Sequence, residues 1–398
     1  MSRTTDGARA DGARADERGR ALTPGPRARP GDGSGPRLGA DSGKRPEAPG
    51  RPPRPDTRYL RIGRAVALPV RPSAVLAGLV VLLLLVAAAT ATLSMGRLGI
   101  AVPDLPGAVL HGSGVKERFV LERLRGPRLT VAAGTGAALG LSGALFQTVT
   151  RNPLGSPDVI GLAAGAGAGA AAVALLVPGG AVPVAAGALA GAVLSMVLVY
   201  VSTGSGFRHP GRLIVAGIGV NAMAAAFTQY VVYAVERDKA SSLAAYVNGS
   251  VAARSWSDAA TIWIALAVLS PALLLLAPRL TMAETGDEFA AGVGARPRTT
   301  RVWAVLLSIV LSAVAVSVAG PVAFISLTAP QIARRLTRGT GPRLVLSALV
   351  GSLLLVVADL AAQQLPLPVA LPVGVYTLAV GGLYLGWLLV REWRKGSL

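Results

Sequence analysis

The sequence predicts an all-α polytopic membrane protein, and three observations carry that prediction. Of 398 residues, 52% are hydrophobic. From about residue 73 onward the apolar residues fall into about ten runs long enough to cross or half-cross a bilayer. Basic residues collect between alternate runs, as membrane topology requires. The chain has no cysteine and two histidines, His111 and His209, so thiol chemistry is excluded and no metal site is expected. The net charge of +19 divides between an N-terminal tail and short loops, so it reads as topology, and no nucleic-acid partner is expected.

Residues 1–72 hold 16 Lys/Arg and 8 Asp/Glu among many Pro and Gly, with the short repeat DGARADGARAD from Asp6 to Asp16. Such a segment buries too little apolar surface to offset chain entropy, so a disordered basic cytoplasmic tail is expected, with no assigned chemistry. It lacks the apolar core of a secretory signal.

The spans then follow at about 74–94, 129–148, 158–177, 180–202, 212–235, 258–278, 302–319, a short one at 322–334, 345–364 and 373–390. With the tail inside, 14 Lys/Arg lie in inner loops and 9 in outer ones, so both termini are expected in the cytoplasm. Six of the nine outer charges sit in one loop, 96–128. A positive excess on the outer side, concentrated at one place, asks for an acidic partner.

The stretch 122–162 organises the rest. It opens with Arg123, Arg125 and Arg128, runs through an apolar segment containing Gly134, Gly136, Gly140 and Gly143, and leaves through Asn152, Pro153, Leu154, Gly155, Ser156 and Pro157. Small residues at this spacing let helix backbones approach in lipid, so this span is expected to be central. Gly161, Gly165 and Gly169 predict a second close helix contact. Asp359 is read as the acidic residue well inside a span, near its outer end, and serves equally as a buried structural group or a transport group. Gln147, Asn221 and Gln229 fit either a path lining or helix packing.

The inner loop 281–301 places Glu284, Asp287 and Glu288 before a small-residue run and basic residues after it, the charge order of a short surface helix. At about 20 residues it is long for a connection between packed spans. No G-x-x-x-x-G-K-[ST] loop is present, so this chain is not expected to bind ATP in that way. The G-x-G clusters lie in apolar spans with no preceding strand, which fails the dinucleotide context.

Several separated motifs resemble one family. Leu124-Arg125-Gly126-Pro127-Arg128 resembles the R-L-P-R lead-in to the second helix of the FecCD family, the permease subunits of ATP-binding cassette (ABC) importers for iron-siderophores, haem and cobalamin. Gly143-Ala144-Leu145-Phe146-Gln147, followed by Arg151-Asn152-Pro153-Leu154-Gly155-Ser156-Pro157, is similar to its G-A-x-x-Q-x-x-x-x-N-P-L-A-x-P, with Gly155 in place of alanine. Asn248-Gly249-Ser250 and Trp256, Gly286 to Gly294, Gly320-Pro321-Val322-Ala323-Phe324, Ala329 to Arg334 and Leu371-Pro372-Val373-Gly374 resemble further family segments in the same order. Gln331 and Gly382-Leu383 depart from the commonest pattern toward the ferric-enterobactin branch.

The resemblance covers about residues 73–395 and implies a type II ABC importer permease in a bacterial cell membrane, not itself an enzyme. It implies a ferric siderophore as cargo, a catecholate before haem or cobalamin. It also implies three partners: cytoplasmic ATPase subunits that use the ATP, a second permease subunit (a heteropartner before a second copy), and an extracytoplasmic substrate-binding lipoprotein. This chain itself would hold no cofactor. Arg123, Arg125 and Arg128 are then expected to dock the lipoprotein. Asp287, Glu288, Ala290, Gly292 and Gly294 are expected to couple to the ATPase. Gly136, Gly140, Gly143, Gln147, Asn152, Pro153 and Asp359 are expected along the path or in helix packing. A carrier driven by an ion gradient is the rival, and it would rest on Asp359.

Overall fold

The computed structural model describes residues 58–62, 66–70, 72–111, 114–177, 183–204, 210–235, 237–284, 286–292, 294–337, 341–366, 368–369 and 371–394. Most of the predicted tail, residues 1–57, lies outside the described residues, and so does the expectation of disorder there. Nearer the first span, Arg58–Ile62 (β1) and Val66–Val70 (β2) pair antiparallel, Arg58 opposite Val70 and Ile62 opposite Val66. The sequence reading contains no strand, although two Val/Ile/Leu/Tyr-rich runs flanking Gly63 are a hairpin pattern.

The helices are α1 (Pro72–Ser94), α2 (Leu105–His111), α3 (Val115–Phe119), α4 (Gly126–Thr150), α5 (Leu162–Leu176), α6 (Val184–Ser202) and α7 (Pro210–Ala234). They continue with α8 (Arg237–Val247), α9 (Trp256–Glu284), α10 (Asp287–Gly292), α11 (Pro297–Ala319), α12 (Ile325–Thr337), α13 (Leu344–Gln364) and α14 (Val373–Arg394). Among the described residues, seven helical segments are long and apolar enough to cross a membrane: α1, the run ending in α4, α6, α7, α9, α11 and α13. The other three predicted spans are α5, the apolar part of α14, and α12, all helical but shorter. The third span shortens for a visible reason. Pro157–Ile160 forms a 3-10 turn, and Gly161 sits at φ +86°, a conformation that favours glycine, so α5 starts only at Leu162.

The bundle is built around α4, as the glycines predict. In its most apolar window 83% of the residues are buried, against 11% for α1, which places α4 at the centre and α1 at the rim. α4 lies against α13, α11, α12 and α9. A side chain at Gly136 would collide with the Gly351 carbonyl of α13, one at Gly140 with the Ser347 carbonyl, and one at Gly143 with Ser326 of α12. Close backbones also permit hydroxyl bridges. Ser142 Oγ donates to the Ser308 carbonyl at 2.7 Å, and Ser308 Oγ returns the bond to the Ser142 carbonyl at 2.8 Å, tying α4 to α11. Ser352 Oγ donates to the Ala133 carbonyl at 2.7 Å.

α11 divides the core. Leu307, Leu311, Ala315 and Val318 pack with α4, α9 and α13, while Val305, Ile309, Ala313 and Val316 pack with α5 to α8. These two sets run at helical spacing on two faces of one helix. The second predicted close contact is present as α5 on α6, where Gly165 and Gly169 face Gly191 and Gly187. Gly161 does not belong to that stripe; it is the turn residue, and its carbonyl accepts from Ser195 Oγ at 2.8 Å. Beyond the spans, Tyr246 of α8 donates through its hydroxyl to the Val316 carbonyl at 2.8 Å. Burial holds its phenol above the ordinary range, against an opposing pull from Arg254.

Candidate functional site: a basic hollow and a presented helix at opposite ends of α4

At the N-terminal end of α4 the chain arrives through α3 and a π-turn over Val120–Leu124. Arg123 is exposed on that turn. Arg125 is 8% exposed and turns inward. Its Nη1 donates to the carbonyls of Thr92 at 2.8 Å and Leu93 at 3.2 Å, and also to that of Met95. Thr92 and Leu93 carry last-turn carbonyls of α1, which have no partner within the helix and sit at its negative end, and Met95 follows directly. Arg125 thus serves first as a clamp on α1, a role that the sequence reading does not contain.

Arg128, one turn into α4, meets Asp359 of α13. Nε lies 2.9 and 3.0 Å from the two carboxylate oxygens, and Nη2 lies 2.7 Å from Oδ1. Gln363 Nε2 adds a fourth contact at 2.7 Å. The geometry makes a partly buried ion pair that joins α4 to α13, with Asp359 as its buried member.

Between these groups lies a hollow of about 330 Å³ lined by Gly96, Arg97, Leu124, Arg125, Arg128, Gln363 and Gln364. Three guanidinium groups around one concavity make an anion-receptive surface. Two of the three predicted docking arginines line it; Arg123 does not, and Arg97 joins instead.

At the C-terminal end of α4, Arg151 closes the helix in the left-handed region and donates to the Ala283 carbonyl of α9 at 3.0 Å. Asn152 forms an Asx turn, its Oδ1 accepting from the Leu154 N–H at 2.9 Å. Gln331 Nε2 donates to the Pro153 carbonyl at 2.8 Å, so the glutamine that departs from the commonest family pattern braces this turn against α12. Gln147 is 1% exposed and donates from Nε2 to the Leu327 carbonyl at 2.9 Å. Gly136, Gly140 and Gly143 are thus packing positions, Asn152 and Pro153 turn positions, and Gln147 a tie to α12.

On the same side α10 stands between α9 and α11. The Ala290 N–H reaches the Gly286 carbonyl at 3.0 Å, and the Ala295 N–H returns to the Ala290 carbonyl at 2.9 Å. Ala290 is buried, whereas Glu288, Phe289, Gly292 and Gly294 are exposed, Phe289 at 64%. Gly294 has φ +82°. Among the described residues, a Cβ at Gly292 would meet nothing within 4 Å. The Asp287 backbone starts the helix. The arrangement is a short helix fixed by one alanine that presents its remaining faces outward.

The FecCD transport family matches residues 81–391. The chain belongs to the FecCD transport family. It is 37% identical to the ferric enterobactin transport system permease protein FepG of Escherichia coli over 277 residues, 70% of this chain and 84% of that one. It is 34% identical to the Fe(3+) dicitrate transport system permease protein FecD of Escherichia coli, over 79% of this chain and 98% of that one. Its fold is similar to that of a metal-chelate type ABC transporter solved in an inward-facing conformation, with TM-score 0.69 and 24% identity over 79% of this chain and 98% of the other. The chain is therefore a multi-pass membrane protein of a family of ABC transporter permease subunits.

One half-buried carboxylate of this FecCD chain escapes the sequence reading, which names Asp359 alone. Asp158, on the turn between α4 and α5, accepts from Ser326 Oγ of α12 and lies 3.4 Å from Ser312 Oγ of α11. An acid directly after Pro157 at the head of a span is the signal that could have flagged it.

Proposed function

We propose that this chain is one permease subunit of an ATP-driven importer that carries a ferric siderophore into the cytoplasm. The observation that carries the reading is the pairing of a basic hollow at one end of α4 with a presented helix at the other, in a chain whose relatives are named for ferric enterobactin and ferric dicitrate transport. With the termini inside, the hollow faces out. There Arg97, Arg125 and Arg128, with Arg123 exposed on the preceding turn, receive acidic side chains of a substrate-binding lipoprotein, pairs that set orientation and encounter rate more than affinity. α10 faces in and seats on a separate ATPase subunit. Glu288, Phe289 and Gly292 supply that contact, Gly294 and Asp287 bound it, and Ala290 passes the movement to α9 and α11. A second permease subunit completes the path, a heteropartner before a second copy.

A gradient-driven carrier would need a carboxylate free to titrate along a path, and Asp359 has four contacts from Arg128 and Gln363. The test is uptake of radiolabelled ferric enterobactin and ferric citrate by cells with wild-type or Arg123→Glu protein, with ATP depleted at constant membrane potential. Loss of uptake on depletion and in the variant is expected, with enterobactin preferred. Uptake that persists without ATP and collapses with the ion gradient would overturn the reading.

A further inference from the structure

The Arg128–Asp359 pair is side-on: Nε and Nη2 face the carboxylate, which leaves Nη1 on the far edge of the planar guanidinium. The two partners are unequally exposed, the Arg128 side chain at 23% and that of Asp359 at 2%. The acid is therefore the buried anchor and the base is the part that reaches the hollow. Gln363 donates to Asp359 Oδ2 and itself lines the hollow, so both carboxylate oxygens are occupied. Arg125, on the same wall, is likewise held by Nη1. A free arginine side chain gives up rotamer freedom when it docks, at roughly 0.5–1.5 kcal/mol per side chain. A pre-held one does not.

We infer that Asp359 and Gln363 are positioning residues for docking: they fix Arg128 so that its remaining N–H groups face the hollow where an acidic side chain of the binding protein arrives. This rests on the docking role given to the hollow above. It carries a sign that separates it from simple electrostatics. Asp359 is a negative charge beside an anion-receptive surface, so by charge alone Asp359→Asn strengthens docking and raises the association rate. If Asp359 positions Arg128, the same change weakens docking, because asparagine has no charge and one acceptor oxygen: the ion pair and the second Nε contact are lost, and its NH2 can face only Gln363, whose amide must turn over to accept it.

The test uses the full-length chain assembled with its partner subunits in lipid nanodiscs. The probe is the purified substrate-binding protein that supports uptake by this transporter, and its association and dissociation are followed over a range of salt concentrations. Asp359→Asn is expected to weaken docking about fivefold, the cost of immobilising one freed arginine. Asp359→Glu is expected to recover part of the loss. Gln363→Leu, which leaves the ion pair in place, is expected to weaken docking less. Tighter or unchanged docking in Asp359→Asn, at an unchanged thermal midpoint, overturns the inference. Should that variant fail to assemble, wild-type docking in Gln363→Leu overturns it instead. Arg97→Glu, at an exposed arginine that lines the hollow, tests the parent reading separately: if it docks like wild type, the docking role itself fails.

Discussion

Gly136 of α4 and Gly351 of α13 each place a backbone carbonyl where the other's side chain would stand. The contact is reciprocal, and it recurs one turn later where Gly140 faces the Ser347 carbonyl. In lipid, where helices gain little from excluding water, such backbone approach is the main source of association. Enlarging either glycine pushes against a carbonyl of a fixed helix, which cannot swing away as a side-chain tip can. Gly140→Val is expected to destabilise the bundle by about 3 kcal/mol or more, at or beyond the upper end of overpacking costs. A thermal midpoint within a degree of wild type in detergent would contradict this packing.

Arg125 and Arg123 are separated by two positions, yet they should fail in different ways. Arg125→Ala leaves the Thr92 carbonyl without the Arg125 donor and the Leu93 carbonyl with only the Ile100 N–H, a loss of about 1–3 kcal/mol, and loosens the end of α1. Arg123 is exposed and should cost little stability. Thermal midpoints of the two alanine variants, read beside uptake, check the division. A stable Arg125→Ala protein would remove the clamp role.

Gly292 offers the cleanest separation of folding from coupling. Among the described residues a Cβ there meets nothing within 4 Å and the position is exposed, so Gly292→Trp should fold with a thermal midpoint near that of wild type. Transport should nevertheless be lost, because the added ring occupies the face that α10 presents. Gly294 is different: at φ +82° any side chain strains the backbone by about 1–3 kcal/mol, so Gly294→Val should lose both stability and uptake. Normal uptake by Gly292→Trp would deny α10 its coupling role.

The bundle was readable because lipid leaves few options. Long apolar runs must be helices, and glycines at fixed spacing mark close approach, so the central place of α4 follows from Gly136, Gly140 and Gly143. Of the residues expected along the path or in helix packing, Gln147 lies in a tie between helices, whereas Asn152 and Pro153 lie in an exposed turn. What was not readable is how charges pair across long sequence separations. Arg128 and Asp359 are 231 positions apart, and nothing local to either names the other. The inward turn of Arg125 depends on where α1 ends, which sequence periodicity fixes only to within a few residues. Gly161 was misread as part of a helical stripe because a small-xxx-small pattern does not report backbone φ.

Asp158 gives the last prediction. Its carboxylate joins the turn between α4 and α5 to Ser326 of α12 and Ser312 of α11. Asp158→Ala removes the acceptor and leaves two serine hydroxyls to find other bonds, which they can do within their own helices by donating to a carbonyl one turn back. The stability loss should therefore be modest, about 1–2 kcal/mol. The turn, however, loses one of its ties to α12 and keeps that of Gln331 to Pro153, on a helix that Gln147 also ties to α4. Asp158→Asn keeps one acceptor oxygen and should retain most of the tie. Uptake and protease sensitivity of the 151–161 turn, compared across the two variants, check the argument. Equal behaviour of Ala and Asn would mean that the carboxylate merely fills space.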